Sequence, residues 1–175
     1  MTMWLHALMT TILALAPVGL MVMEKGIWRA DDQQLPEELT EPEARSIRKE
    51  TSPKGHVEAT LKVSDSRLVS ALSSSQQSQY QTASQHLTVY FSLIRYADQY
   101  SRALPAARRK DRENCLKKLE QAIFKQNPRL EAVARELPFD YREASDRGIE
   151  EVKKIRLSAI NDLLGGGRAF KPPEN

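Results

Sequence analysis

Residues 3–23 carry no formal charge, in a chain that is otherwise strongly polar. As one continuous α-helix this run would rise about 31 Å, which matches the roughly 30 Å hydrocarbon core of a bilayer. Trp4 and Trp28 lie near its two ends, where interfacial aromatic side chains are common. The sequence therefore predicts a single transmembrane anchor over residues 1–24, in contact with membrane lipid through residues 3–23.

Two other interpretations of this run stay open. Ala14-Leu15-Ala16 has the small residues of a signal-peptide cleavage site, although no Lys or Arg precedes it and the apolar run continues beyond it. The second interpretation is a buried helix of a soluble domain, although such a helix rarely stays uncharged on every face. Lys25 and Arg29 follow the run, so the positive-inside bias favours a cytoplasmic location for the bulk of the chain. Cleavage would instead place it in a periplasmic or lumenal compartment.

Residues 25–60 are rich in acids and prolines and poor in large apolar side chains. This composition predicts a polar, largely irregular tether. A short helix over residues 43–50 is compatible with Pro42 at its first position, but only Ala44 and Ile47 would give it an apolar side.

An apolar seam with gaps of three and four residues begins near Arg67 and predicts one long helix. Its members are Val69, Leu72, Gln76, Tyr80, Ala83, Leu87, Tyr90, Ile94, Ala97, Ser101 and Leu104. No Pro or Gly interrupts the chain between Gly55 and Pro105, so the pattern fits about five heptads of a single helix. Since a heptad seam needs a facing surface, four of its residues are candidates for contact with a partner or with the chain's own later helices. These are Leu87, Tyr90, Ile94 and Ala97.

The remaining sequence predicts three further helices and no sheet. One runs over residues 106–126, and Asn127-Pro128 is typical of a boundary before a short helix that stops at Pro138. The last begins near Asp140 and ends at Gly165-Gly166-Gly167, because glycine accepts the left-handed C-cap conformation. We therefore expect an all-α protein with an antiparallel helical bundle over residues 61–167 and a disordered tail over residues 168–175.

Basic side chains concentrate where the long helix gives way to the next. Residues 102–129 hold nine Lys or Arg against three acids, a formal net charge of +6, whereas the whole chain carries only +3. The candidate basic patch consists of Arg108, Arg109, Lys110, Arg112, Lys117 and Lys118. It fits a solvated corner, an anionic lipid surface or an acidic protein surface. Nucleic acid is the weakest candidate, because no reading motif accompanies the charge.

Motifs for catalysis, cofactors and metals are missing from the sequence. His6, His56 and His86 lack a second ligand at helical spacing, so we expect each to be solvated or to cap a helix. Cys115 is the only cysteine and fits a semi-buried structural thiol. The glycine cluster lacks the order of a phosphate loop, and no GxSxG motif occurs.

These observations predict a non-catalytic, membrane-anchored helical protein that acts as an interaction subunit or scaffold of a membrane-associated complex. Other protein subunits are its expected partners, and no catalytic residue, cofactor or metal is predicted. One alternative is an exported soluble helical domain, released by signal-peptide cleavage, that binds a ligand or caps a larger complex. A second is a basic helical module that binds nucleic acid.

Overall fold

The structure, a computed structural model, describes residues 34–165, of which most are helical. The helices are α1 (Glu41–Arg48), α2 (Pro53–Gln76), α3 (Tyr80–Ala103), α4 (Arg109–Glu136) and α5 (Phe139–Leu163), with a 3-10 turn over Ala106–Arg108 before α4. No strand occurs within this region, and the all-α prediction is confirmed there. None of these helices is both long and apolar enough to cross a bilayer. The predicted anchor (1–24), the first part of the tether and the predicted tail (168–175) lie outside the described residues.

Two antiparallel hairpins, α2–α3 and α4–α5, make up the body of the protein. In the first, Nε2 of His56 near the start of α2 lies 2.7 Å from the hydroxyl of Tyr96 near the end of α3. In the second, Nε of Arg156 on α5 donates to Glu120 on α4 at 3.0 Å. Residues 77–79 join the first pair and residues 137–138 join the second, so each pair of helices must run in opposite directions.

The hairpins pack side by side with helices of like direction as neighbours. The α2–α4 contact includes ion pairs of Glu58 with Lys118 and of Asp65 with Arg129, which requires these helices to run parallel. Arg95 pairs with Glu151 across the parallel α3–α5 contact. Contacts between α3 and α4 are fewer and α2 barely meets α5, so these pairs occupy opposite corners of the bundle. The predicted helical bundle is confirmed.

The space between the four long helices is filled by large apolar side chains. Fully buried examples are Leu68, Tyr90, Ile94, Tyr100, Leu119, Ile123, Leu130 and Val133. Each such side chain contributes roughly 1.5–3 kcal/mol through removal from water, before the entropy of ordering is counted. A smaller cluster of Ile47, Val63, Val89 and Leu93 attaches α1 to the outside of the α2–α3 hairpin.

The single long helix predicted from the heptad seam is wrong, because the chain reverses at residues 77–79. Ser78 there has a left-handed backbone (φ 60°), and the amide of Gln79 donates to the carbonyl of Ser74 at 2.9 Å. The serines of this stretch are weak helix formers, because their hydroxyl groups bond readily to nearby backbone. The seam members of α3 and its C-cap, from Ala83 to Leu104, are buried. In α2 the seam is not the buried face, because Val69 is 47% exposed and the helix buries Leu61, Leu68 and Ala71 instead.

The predicted irregular tether is also wrong over most of its described part. Helix α1 forms because Ala44 and Ile47 become buried against α2 and α3. Helix α2 begins at Pro53, where the side chain of Ser52 accepts the amide of Gly55 at 3.0 Å. The first turns of α2 also bury Val57 in the main core, so packing outweighs the polar composition.

A helix boundary at Asn127-Pro128 is not found, because α4 continues through Pro128. Leu130 and Val133 extend the buried face already formed by Leu119, so the packing holds both sides of the proline in one helix. Pro128 lies on the exposed side, where water can bond the carbonyl that its missing N–H leaves free.

The last helix agrees with the sequence pattern at both ends. It begins at Phe139, one residue before the predicted start, and Pro138 is its N-cap. It ends at Leu163, and Gly165 follows with a φ of 93°, a conformation that costs glycine little.

Candidate interaction surfaces

The four seam residues predicted to contact a partner or the chain's own later helices are buried in the protein's own core. Tyr90, Ile94 and Ala97 expose none of their surface and Leu87 exposes 2%. They pack among residues of α2, α4 and α5 in one cluster. A partner therefore cannot reach them while the bundle is closed, and of the two predicted alternatives the structure shows contact with the chain's own helices. The chain's own helices supply the facing surface that the seam requires.

His56 is buried rather than solvated or capping. Its ring stacks on Tyr100 with centroids 4.3 Å apart, in addition to its hydrogen bond with Tyr96. The first turn of α2 faces the last turns of α3, and this brings the imidazole into the interior. Cys115 lies in the same core cluster as these tyrosines, and burial raises the pKa of its thiol to about 11. It is fully buried, where a semi-buried position was expected, and a structural role stays the prediction for it.

His86 is half-buried and contacts another side chain, whereas it was expected to be solvated or to cap a helix. Nη1 of Arg67 lies 3.3 Å from its Nδ1. The same guanidinium donates through Nε to Glu43 of α1 at 2.7 Å. The three side chains form a polar link that ties α1 to the α2–α3 hairpin.

The candidate basic patch lies at one end of the bundle, where α3 and α5 end and α2 and α4 begin. Three of its members are engaged in ion pairs: Arg108 with Asp111 (2.9 Å), Arg109 with Glu113 (2.7 Å) and Lys118 with Glu58 (2.9 Å). The other three make no ion pair with any described residue: Lys110, Arg112 and Lys117. We call this end of the molecule the basic end.

A cleft of about 410 Å³ opens at the basic end between the start of α4 and the end of α5. Its lining includes Arg109, Arg112 and Leu116 from α4 and Gly165 from beyond α5. Arg102 closes one side and is held by three groups, the carboxylates of Asp98 and Asp162 and the hydroxyl of Ser158. No sequence pattern predicts that these α4 and α5 residues lie together, since only the fold brings them to one cleft.

Exposed apolar side chains mark a second surface that the sequence analysis missed. Phe124 on α4 and Leu157 on α5 are each 61% exposed. The guanidinium of Arg156 lies over the Phe124 ring, 4.8 Å from its centroid. Leu157 follows Arg156 in the sequence of α5, and we call Phe124, Arg156 and Leu157 together the α4–α5 patch. Phe124 and Leu157 lie outside the buried stripe of their helix, and this position in the sequence pattern could have predicted that they are exposed.

Residues 34–165 contain no group of three or more His, Cys, Asp or Glu side chains placed to hold a metal ion. A groove of about 460 Å³ between α1 and α2 contains three carboxylates and Lys62. Two of those carboxylates are already engaged, Glu43 by Arg67 and Glu58 by Lys118. The groups in this groove are thus arranged as ion pairs that join helices.

Comparison with models of protein families, with curated proteins and with solved structures finds no match to this chain.

Proposed function

We propose that this chain is a non-catalytic, membrane-anchored helical subunit that binds other proteins of a membrane-associated assembly. The observation that carries the proposal is the uncharged run of residues 3–23 in a chain whose helical part buries its own apolar faces. A run of that length favours lipid as its surroundings. The bulk of the chain then lies beside the membrane, on the cytoplasmic side by the charge bias of the flanking residues.

The α4–α5 patch is the protein-contact surface in this proposal. Partner surfaces commonly centre on exposed aromatic and aliphatic side chains with arginine beside them. Phe124, Leu157 and Arg156 supply these three side-chain types on the outside of the α4–α5 hairpin. The former candidates of the seam are buried, so any partner must bind the outside of the bundle.

The experiment compares two variants of the full chain purified from membranes in mild detergent. Phe124→Glu changes the α4–α5 patch. Phe139→Glu changes a phenylalanine that is 86% exposed at the end of the bundle opposite the basic end. We expect Phe124→Glu to lose co-purifying proteins that both the parent and Phe139→Glu retain, as measured by quantitative mass spectrometry. Identical co-purifying sets for all three proteins, with equal helicity by circular dichroism, would contradict the proposal.

N-terminal sequencing of the mature protein separates the proposal from export of a soluble domain. We expect the residues of the uncharged run to remain in the mature chain. A mature chain that begins at or shortly after Pro17 would lack the anchor and would favour the exported alternative.

A further inference from the structure

Charge is distributed unevenly along the axis of the bundle. Residues 108–118 at the basic end hold six cations and two anions, a formal net charge of +4. At the opposite end, residues 131–147 hold three cations and five anions, a formal net charge of −2, and residues 70–82 hold none. The helix dipoles do not alter this contrast, because two helices begin and two end at each end.

The cations of the basic end are accessible to a partner. Lys110 and Lys117 are exposed, and with Arg112 they make no ion pair within the described region. Arg109 pairs with Glu113, yet three quarters of its side chain remains exposed. Exposed ion pairs are weak, so the Arg109 guanidinium can exchange its carboxylate partner for another anion.

Exposed leucines lie beside these cations. Leu164 is 77% exposed and Leu163 36% exposed, and Gly165, which follows them, lines the same cleft as Arg109 and Arg112. Helices that lie in the interface of an anionic bilayer commonly carry lysine and arginine beside exposed leucine. There the leucines enter the boundary of the acyl chains and the cations contact the lipid phosphates.

We propose that the basic end docks on the anionic headgroup layer of the membrane, with Leu163 and Leu164 inserted and Arg109, Lys110 and Arg112 bound to lipid phosphates. This inference rests on the proposed function, because the anchor supplies the proximity. Eleven residues, 24–34, lie between the uncharged run and Leu35, which packs against the main core, and eleven residues span at most about 40 Å. Such a short tether gives a high effective concentration of lipid, so weak contacts suffice.

An acidic protein surface would also attract the cations, but it does not account for the adjacent leucines at the end of α5 as directly.

With the basic end docked on the membrane, the axis of the bundle is steeply inclined to the membrane surface, and the acidic end of the bundle points away from it. In that orientation the α4–α5 patch stays open to a protein partner along the side of the bundle.

Fluorescence quenching in vesicles containing the full-length chain tests this docking. A fluorophore is attached at Asn161→Cys, on an exposed position near the leucines, or at Gln81→Cys, on an exposed position at the opposite end. Cys115 is buried and stays unlabelled. The vesicles contain a headgroup spin label and either phosphatidylcholine alone or phosphatidylcholine with phosphatidylserine. We expect strong quenching of the Asn161→Cys label with phosphatidylserine only, and weak quenching of the Gln81→Cys label in both.

Matched charge variants identify the cations responsible. The triple change Arg109→Gln, Lys110→Gln and Arg112→Gln is expected to lower the ratio of docked to undocked bundle by about 100-fold and to remove the quenching. The control change Arg135→Gln, Arg142→Gln and Arg147→Gln removes three cations from the opposite end and is expected to leave the quenching unchanged. High salt is expected to act like the first triple change.

The outcomes distinguish this inference from the proposed function. Equal quenching of the two labels in both lipids, or quenching that survives the Arg109, Lys110 and Arg112 changes, overturns the docking. If the chain floats with the vesicles after an alkaline wash but shows no difference between the labels, the docking is wrong and the anchor stands. If the chain does not float, the proposed function fails and the docking fails with it.

Discussion

Two buried tyrosines on α3 differ in the hydrogen bonding of their hydroxyl groups. Tyr96 is hydrogen-bonded to His56, whereas the hydroxyl of Tyr90 is buried without a partner among the described residues. A buried polar group without a partner costs free energy, while a satisfied one contributes about 1 kcal/mol. Burial also raises the pKa of the Tyr90 hydroxyl, since the phenolate would lose its hydration.

We therefore expect Tyr90→Phe to raise the free energy of unfolding by up to about 1 kcal/mol and Tyr96→Phe to lower it by about 1–2 kcal/mol. Each change removes one oxygen from α3 and leaves the ring in position, so each serves as the control for the other. Urea denaturation of the full chain in detergent, followed by far-UV circular dichroism, measures both values. A loss of stability in Tyr90→Phe as large as that in Tyr96→Phe would contradict the assignment.

The polar link of Glu43, Arg67 and His86 makes the attachment of α1 sensitive to acid. Burial and the adjacent Arg67 lower the pKa of His86 below its ordinary value of 6.5. Burial alone would raise the pKa of Glu43, but hydrogen bonds from Arg67 and Thr40 outweigh it, so that pKa is lowered too. A group with a lowered pKa in the folded state binds its proton more readily after unfolding. Both groups therefore stabilise the fold at neutral pH, and this stability is lost as the pH falls.

We expect the free energy of unfolding to fall as the pH is lowered from about 7.5 to about 5.5, the range in which an exposed histidine gains its proton. His86→Gln removes that titration, so the variant is expected to lose less stability over the same range. Urea denaturation at several pH values measures the two slopes. Equal slopes for the parent and the variant would show that His86 has no part in the effect.

At the scale of the helices, the sequence predicted elements whose ends carry their own signals. The proline at the start of α5 and the glycine after it specify both boundaries without help from the rest of the fold. Helix α4 is the contrary case, because Asn127-Pro128 is a valid local boundary that tertiary packing overrides. The turn at residues 77–79 is a third case. The heptad pattern continues through it, so the division into α2 and α3 is visible only in the folded structure.

Pro128 should lower the stability of α4 even though the helix continues through it. Pro128→Ala restores the N–H that can donate to the carbonyl of Phe124, four residues earlier. The gain is reduced by the greater freedom of alanine in the unfolded chain, so we expect a net increase of about 1–2 kcal/mol in the free energy of unfolding. Thermal denaturation of Pro128→Ala beside the parent tests this. A decrease in stability would mean that the proline is needed for the local shape of α4.

Gly148 allows α3 and α5 to approach closely. A Cβ at this position would overlap the ring of Phe91, which packs on the core from α3. Gly148→Ala is expected to lower the free energy of unfolding by about 1–3 kcal/mol, as in other overpacked contacts. Combining it with Phe91→Leu should cost less than the sum of the two separate losses, because the smaller side chain makes room. Additive losses in this double-mutant cycle would exclude the contact.

For the whole molecule, composition and periodicity predicted an all-α bundle but not which surfaces it leaves outside. For the seam residues Tyr90 and Ile94 both a partner and the chain's own helices stayed open, because a sequence pattern cannot tell the two apart. Phe124 and Leu157 show the reverse, since both are apolar and yet each is 61% exposed outside the buried stripe of its helix. The direction of neighbouring helices, parallel between hairpins, had no local signal either.

Flotation of the full-length chain with lipid vesicles after an alkaline carbonate wash tests the central claim most directly, because the wash removes proteins that are held only by surface charge. If residues 3–23 are surrounded by lipid, the protein is recovered in the floating fraction, and it stays there when the cations of the basic end are replaced. Recovery of the washed, full-length protein at the bottom of the gradient would contradict the account.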